Sequence, residues 1–307
     1  TAFRYNEQTA ANNLYQHNIS HLSELNVQDK ARHEFEGLVS KLRHAGIHVI
    51  VVEDHRQTDT PDAVFPNNWI STAADGTVFL YPMAVEVRRK ERQNDILHLL
   101  KNKYGFKNLV DLTGFEAENA FLEGTGSIVF DHIQKLAFAA LSPRTAAAPL
   151  IALCEKINYQ PVTFHASGPA GEPVYHTNVI MSIGESLTIL GTDTIAPADK
   201  KRILSLVASS GREVLHLSNA QVYESFAGNM LQVRNRKEER ILVMPAKALD
   251  SLSFSQLNKI EDHTDHILPA RLDIIEKVGG GSVRCMMAEI FYPPKVKKPE
   301  KRAAKAD

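Results

Sequence analysis

The sequence predicts a single α/β domain built by repeating one small module. Three observations carry this. Short strand-like runs alternate with amphipathic helical stretches from end to end. The order strand, hairpin, helix, strand returns at a period of roughly 50–60 residues. No linker rich in Gly, Pro or Ser divides the chain. The letters repeat poorly, so the repeat is one of architecture. One domain is expected over residues 1–294, followed by a basic tail, 295–307.

The elements follow in order. A helix ends near His44, and Gly46–Glu53 reads as a strand after it. Asn68–Thr72 and Thr77–Tyr81 bracket Ala-Asp-Gly, a hairpin signal. Arg88–Lys103 reads as a helix with Ile96, Leu97, Leu99 and Leu100 on its inner side. Ser127–Phe130 and Leu136–Ala140 form a second hairpin, with a helix after it that Pro143 helps to start. Val174–Ile183 and Leu187–Leu190 form a third hairpin, followed by helix Pro197–Ser209 and strand Val214–Leu217. Met230–Val233 and Ile241–Met244 give a fourth strand pair. A closed ring of such modules would gather their loops around a central axis.

With 307 residues, 43% hydrophobic and 23% charged, the chain has the composition of a soluble globular protein. Its formal net charge of −1 offers no footprint for nucleic acid. No charged-then-apolar leader opens it, and no apolar run nears the roughly 18 residues of a membrane span. A cytoplasmic protein that binds neither membrane nor nucleic acid is expected. The tail 295–307, rich in Lys and Arg, reads as a solvated end. Two cysteines, Cys154 and Cys285, make no disulfide framework.

Cys285 closes the run Gly279-Gly280-Gly281-Ser282-Val283-Arg284-Cys285. A glycine triplet marks a sharp bend or a close approach, and a cysteine beside free backbone N–H groups and Arg284 is placed to ionise. Cys154, inside an Ile/Ala/Leu-rich helix, reads as packing. His176, in Tyr175-His176-Thr177-Asn178, opens an otherwise apolar strand. Glu123 follows Phe121-Leu122 and precedes Gly124-Thr125-Gly126; a carboxylate carried inward needs a partner. Asn67 and Asn68 stand beside the only tryptophan, Trp69, after Asp62. Arg88 and Arg144 could each grip a carboxylate with two parallel hydrogen bonds. The 13 histidines make no HExxH motif, and there is no Cys-x-x-Cys site, nucleophile elbow or dinucleotide glycine pattern. A Cys, a His and a carboxylate remain, far apart in sequence.

Six blocks in order, Asp62-Ala63-Val64-Phe65, Arg88-Arg89-Lys90-Glu91, Leu122-Glu123-Gly124, Leu141-Ser142-Pro143-Arg144-Thr145, His176 and the glycine run ending in Cys285, resemble the guanidine-modifying (pentein) superfamily. That superfamily includes dimethylarginine dimethylaminohydrolase, arginine deiminase and the amidinotransferases; the nearest resemblance is to amidinotransferase-like citrulline-utilization hydrolases. The resemblance implies a five-bladed α/β propeller. It assigns Cys285 as covalent nucleophile, His176 as general acid and base, and Glu123 as the carboxylate on the reacting nitrogen. Arg88 and Arg144 match positions that hold a substrate α-carboxylate, and Asp62 matches one that contacts its amino end.

Three departures from the family pattern matter. Asn67-Asn68 stands where the dimethylarginine enzymes have Glu-Asp, Asn178 where arginine deiminases have Asp, and Gly124-Thr125-Gly126 where Gly-Gly-Asp is frequent. A guanidinium stays charged and needs anions around it, whereas an amide matches the C=O and NH2 of a neutral ureido group. Citrulline is therefore the expected substrate, hydrolysed to ornithine, ammonia and carbon dioxide without metal or cofactor, with Asn68 and Asn178 holding the ureido group. An arginine or methylarginine deiminase, an amidinotransferase and a non-enzymatic amino-acid-binding relative stay open, as does a homodimer.

Overall fold

Each module is built on a central strand that is mostly apolar and almost wholly buried. In the computed structural model, which describes residues 3–13, 15–19, 22–54 and 59–292, twelve strands form four three-stranded sheets of identical order. Two helices come first, α1 (Glu7–Ala10) and α2 (Glu24–His44). In the first sheet β1 (Ile70–Thr72) runs antiparallel to β2 (Thr77–Leu80), with Ile70 opposite Leu80. α3 (Glu86–Arg89) and α4 (Asn94–Tyr104) then cross over to β3 (Asn108–Asp111), which lies parallel to β2.

The second sheet follows α5 (Gly124–Ser127) and holds β4 (Val129–Asp131), β5 (Leu136–Ala140), the crossover α6 (Ala147–Ile157) and β6 (Gln160–Phe164). The third holds β7 (Met181–Ile183), β8 (Leu187–Leu190), α7 (Pro197–Ala208) and β9 (Glu213–His216). The fourth follows α8 (Asn219–Ser225) and holds β10 (Leu231–Arg234), β11 (Arg240–Pro245), α9 (Ala246–Ser251), α10 (Phe254–His263) and β12 (His266–Ala270). A parallel pair needs such a crossover, and a strand covered on both faces needs an unbroken apolar run. β5, reading Leu-Ala-Phe-Ala-Ala, is buried throughout.

A tight turn precedes the first strand of each sheet, and these turns position the site. They are Pro66–Asn68, α5, Thr177–Val179 and the Phe226–Asn229 turn; a fifth, at 282–286, follows the last sheet. Each touches the next. Asn67 Nδ2 donates to Thr125 Oγ1 at 3.2 Å. Thr177 Oγ1 donates to the Ser127 carbonyl at 2.6 Å. Asn229 Nδ2 donates to the Asn178 carbonyl at 3.1 Å, and its Oδ1 accepts from the Arg284 N–H at 3.0 Å. Gly281 lies against Phe65, where a Cβ would stand 2.9 Å from the ring, and this closes the circle. Glycine is obligatory at two crossings. At Gly124 (φ +46°) a Cβ would lie 2.1 Å from the Asn67 carbonyl oxygen, and at Gly228 it would lie 2.2 Å from that of Val179.

Several expectations change. The run Gly46–Glu53 joins no sheet: Gly46 stands in a turn at φ +83°, and 47–53 flank a cavity of about 1450 Å³, with 286–292 also on the wall. Its valines satisfy strand preference, yet a strand needs a partner backbone within hydrogen-bonding reach. Among the described residues there are four sheets and no closed one. The helix read over Arg88–Lys103 breaks between Arg89 and Asn94, because Arg88 and Glu91 turn into the interior. Pro143 sits in the Ser142–Thr145 turn, and Pro149 occupies the first turn of α6 instead. Residues 174–180 precede β7 and are not part of it, since Thr177 bonds the neighbouring module, accepting from the Ala140 N–H at 2.7 Å. The basic tail, 295–307, lies outside the described residues. No helix among the described residues is long and apolar enough to cross a membrane.

Candidate active site

The ring of turns brings the distant candidates together. Glu123, fully buried at the N-cap of α5, accepts a 2.8 Å hydrogen bond from His176 Nε2. Its other oxygen accepts from the Ala84 N–H at 3.1 Å. Arg144 Nη1 and Arg88 Nη1 lie 3.7 and 3.9 Å from the same carboxylate. Burial alone would raise the Glu123 carboxyl, but Arg144, the His176 hydrogen bond and Arg88 outweigh it and bring it down to about 2. Burial lowers His176, more than Glu123 lifts it. An ionised Glu123 can only accept, so the imidazole donates to it from Nε2.

Cys285 joins this pair through Asn178, two residues beyond His176. The sulfur accepts from Asn178 Nδ2 at 3.5 Å and from Asn229 Nδ2 at 3.3 Å, and Cys285 is 3% exposed. Arg284, expected to promote ionisation, turns away: its guanidinium donates to the Met287 carbonyl and to Glu289 Oε2 at 3.0 Å. Cys154 packs in α6 beside Phe79 and Leu122, and burial raises its thiol to about 11.

The two arginines differ from simple carboxylate grips. Arg88 forks onto Glu91 at 2.8 and 2.9 Å, donates to Asn68 Oδ1 at 2.7 Å, and reaches the Asp62 and Phe65 carbonyls. Each of its three nitrogens donates to protein. Burial would lower its guanidinium, but Glu91, Asp62 and Glu123 raise it. Burial lifts Glu91 to about 7 against the pull of Arg88. Arg144 lies over the Tyr175 ring, with Nε on Asn12 Oδ1 at 2.7 Å and Nη2 on the Thr9 carbonyl at 2.6 Å. Asp62 Oδ2 accepts from Asn6 at 2.7 Å and Thr9 at 3.1 Å, while its buried Oδ1 has no hydrogen-bond partner. The N-terminal segment thus occupies the groups assigned to a substrate's amino-acid end.

All nine expected residues, Asp62, Asn67, Asn68, Arg88, Glu123, Arg144, His176, Asn178 and Cys285, lie on or against this ring, each almost wholly buried. Reading the sequence missed Glu91, Tyr175, Asn229 and the N-terminal Asn6, Thr9 and Asn12. Asn229 carried one signal, its place after Gly228 before a strand, the position that Asn68 and Asn178 hold in their modules. Among the described residues no group of three or more His, Cys, Asp or Glu side chains is arranged to hold a metal ion.

A family model described as N,N dimethylarginine dimethylhydrolase, eukaryotic, matches residues 1–292. No curated protein matches the sequence. The fold resembles the N-terminal domain of ArgZ, an arginine dihydrolase from the ornithine–ammonia cycle in Cyanobacteria, in a cysteine-to-serine mutant bound to substrate. The TM-score is 0.69 at 16% identity, covering 90% of each chain. It covers 92% of this chain but 37% of AgrE in complex with ornithine and NAD+, at TM-score 0.70 and 18% identity. An adduct of dimethylarginine dimethylaminohydrolase with 4-chloro-2-hydroxymethylpyridine gives TM-score 0.58 at 14% identity, covering 84% of this chain and 90% of that one. At these identities the likeness is one of fold.

Proposed function

The chain belongs to the dimethylarginine dimethylhydrolase family of the guanidine-modifying (pentein) superfamily, and on that premise we propose that it is a cysteine-dependent hydrolase acting at the ureido or guanidino carbon of an arginine-like amino acid. The observation that carries this is the joined set Glu123, His176, Asn178 and Cys285. Sulfur adds to the planar carbon. His176, neutral at rest, carries the thiol proton from Cys285 to the departing nitrogen and then takes one from the water that cleaves the intermediate. Glu123 anchors the imidazole and receives an N–H of the substrate. Arg144 meets the substrate carboxylate once the Thr9 carbonyl and the Asn12 amide leave it, and the free Oδ1 of Asp62 accepts from the amino group. Arg88 acts from behind, fixing Asn68, Glu91 and Asp62. In the same reading 47–53 and 286–292 belong to a fifth module, and the unpaired thiols fit a reducing cytoplasm.

Citrulline is the substrate we favour, because amides and no carboxylate touch the sulfur. With either C–N bond broken first, thiocarbamate hydrolysis gives ornithine, ammonia and carbon dioxide. Arginine is the second reading, favoured by the buried acids Asp62, Glu91 and Glu123 around the site, of which Glu91 is already matched by the Arg88 fork. Steady-state assays on each compound, with ornithine and ammonia quantified, decide. Ornithine from citrulline alone supports the first reading, turnover of arginine alone replaces it with the second, and turnover of neither removes both.

A further inference from the structure

We propose that Asn229 is a catalytic residue of this reaction: its amide N–H, together with that of Asn178, holds the Cys285 sulfur as an anion before attack and again when it departs. The proposal rests on the reading of Cys285 as nucleophile, and three features of the fourth turn carry it.

The orientation of the amide is fixed. Asn229 Oδ1 accepts from the Arg284 backbone N–H at 3.0 Å, a group that can only donate. The NH2 end must then point the other way, where it meets the Asn178 carbonyl at 3.1 Å and the sulfur at 3.3 Å. Turning the amide over would set two donors against each other and an oxygen against both a carbonyl and the sulfur.

The position is rigid. Asn229 has no exposed surface. Its N–H bonds the Phe226 carbonyl at 2.8 Å, and Phe226 takes φ +53° to make the turn. Gly228 lets this turn approach Val179 more closely than any side chain would allow. The turn thus holds a fully buried polar side chain against the sulfur.

No cation takes the same task. Among the described residues the hydrogen-bond donors to the sulfur are the two amides, and the thiol in turn donates to Asn178 Oδ1 at 3.9 Å, so Asn229 is the amide that meets the sulfur by its NH2 end alone. Arg284 is paired with Glu289, Arg144 with Asn12 and Thr9, and Arg88 with Glu91 and Asn68. Of the other titratable groups at this centre, Glu123 and His176 bind one another, and the Tyr175 hydroxyl donates to the Gly280 carbonyl at 2.6 Å. Once His176 has taken the thiol proton, the buried sulfur depends on the N–H groups directed at it, which favour the charged form. Two neutral donors also leave no full positive charge to repel a guanidinium or to hold the sulfur too tightly at its departure.

Asn229 also ties three turns together, so the variant must keep the tie while removing the donor. Asn229→Asp keeps the tie to the fifth turn, since its carboxylate still accepts from the Arg284 N–H, but it presents oxygen to the sulfur and to the Asn178 carbonyl. Iodoacetamide labelling of Cys285, followed site by site in the mass spectrum across pH, needs no substrate. For Asn229→Asp and Asn229→Ala the labelling profile should move upward by a pH unit or more, with labelling at pH 7 slowed about tenfold. Turnover should fall about 100-fold or more, as for loss of one donor to a developing anion, with KM changed by less than a factor of about three. Should neither variant fold, Asn178→Asp removes the other donor and carries the same expectation. Profiles that overlay the wild type in a folded variant overturn the assignment. An unreactive Cys285 in the wild-type protein would instead sink the nucleophile reading itself.

Discussion

Replacing Glu123 with Gln removes the one negative charge shared by His176, Arg144 and Arg88 while keeping the shape of the side chain. Its carboxyl is brought from the usual 4.5 down to about 2 in the folded protein, with burial opposing and Arg144, His176 and Arg88 prevailing. That difference corresponds to roughly 3 kcal/mol of stability from the ionised form, within the range of about 3–5 kcal/mol for breaking a buried pair. The sign follows from the depressed value. The contribution is complete above the unfolded pKa near 4.5 and is lost as pH falls through about 2. Urea unfolding of wild type and Glu123→Gln, from pH 7 to pH 3, should therefore give a gap of about 3 kcal/mol at neutral pH that narrows steadily below pH 4.5. Variants that unfold together at pH 7, or a gap unchanged down to pH 3, would refute the charge arrangement described for this site.

Two further outcomes follow from other parts of the ring. Gly124→Ala sets a methyl group 2.1 Å from the Asn67 carbonyl oxygen at φ +46°, so it should cost about 2 kcal/mol or more and lower the urea midpoint; a midpoint equal to wild type would contradict the packing of the first two turns. Asn12→Ala frees Arg144 Nε of a 2.7 Å competitor for the substrate carboxylate, so KM should fall roughly three- to tenfold with kcat little changed; a rise in KM would mean that Asn12 belongs to the bound state.

The sequence made the four hairpins legible because each pairs a short apolar run with a turn signal at close range, as in Thr72–Thr77 around Ala73–Gly76. Glu123, His176 and Cys285 were legible because each breaks the pattern around it: an acid after two large apolar residues, an imidazole before an apolar run, a thiol after three glycines. What escaped depends on contacts between distant segments. Asn12 and Thr9 reach Arg144 across more than 130 residues, and no local pattern marks them. Arg88 looked like a carboxylate grip because a guanidinium suits that role, whereas Glu91, one helical turn on, already fills its fork. Arg284 looked useful to Cys285 by adjacency alone, but successive residues in a turn point apart, and Glu289 takes its charge. The strand read at Gly46–Glu53 failed for the complementary reason, since its valines lacked a neighbouring backbone.

In the proposed reaction carbon–nitrogen cleavage passes through a bond to the sulfur of Cys285. Brief incubation of the wild-type protein with citrulline or arginine, acid quench and mass measurement of the peptide carrying Cys285 tests it directly. A substrate-derived carbamoyl or amidino mass on Cys285, absent from Cys154 and from the Cys285→Ser protein, is the expected result. Sustained turnover by Cys285→Ser, or turnover by the wild type with that peptide unmodified at every quench time, would contradict it.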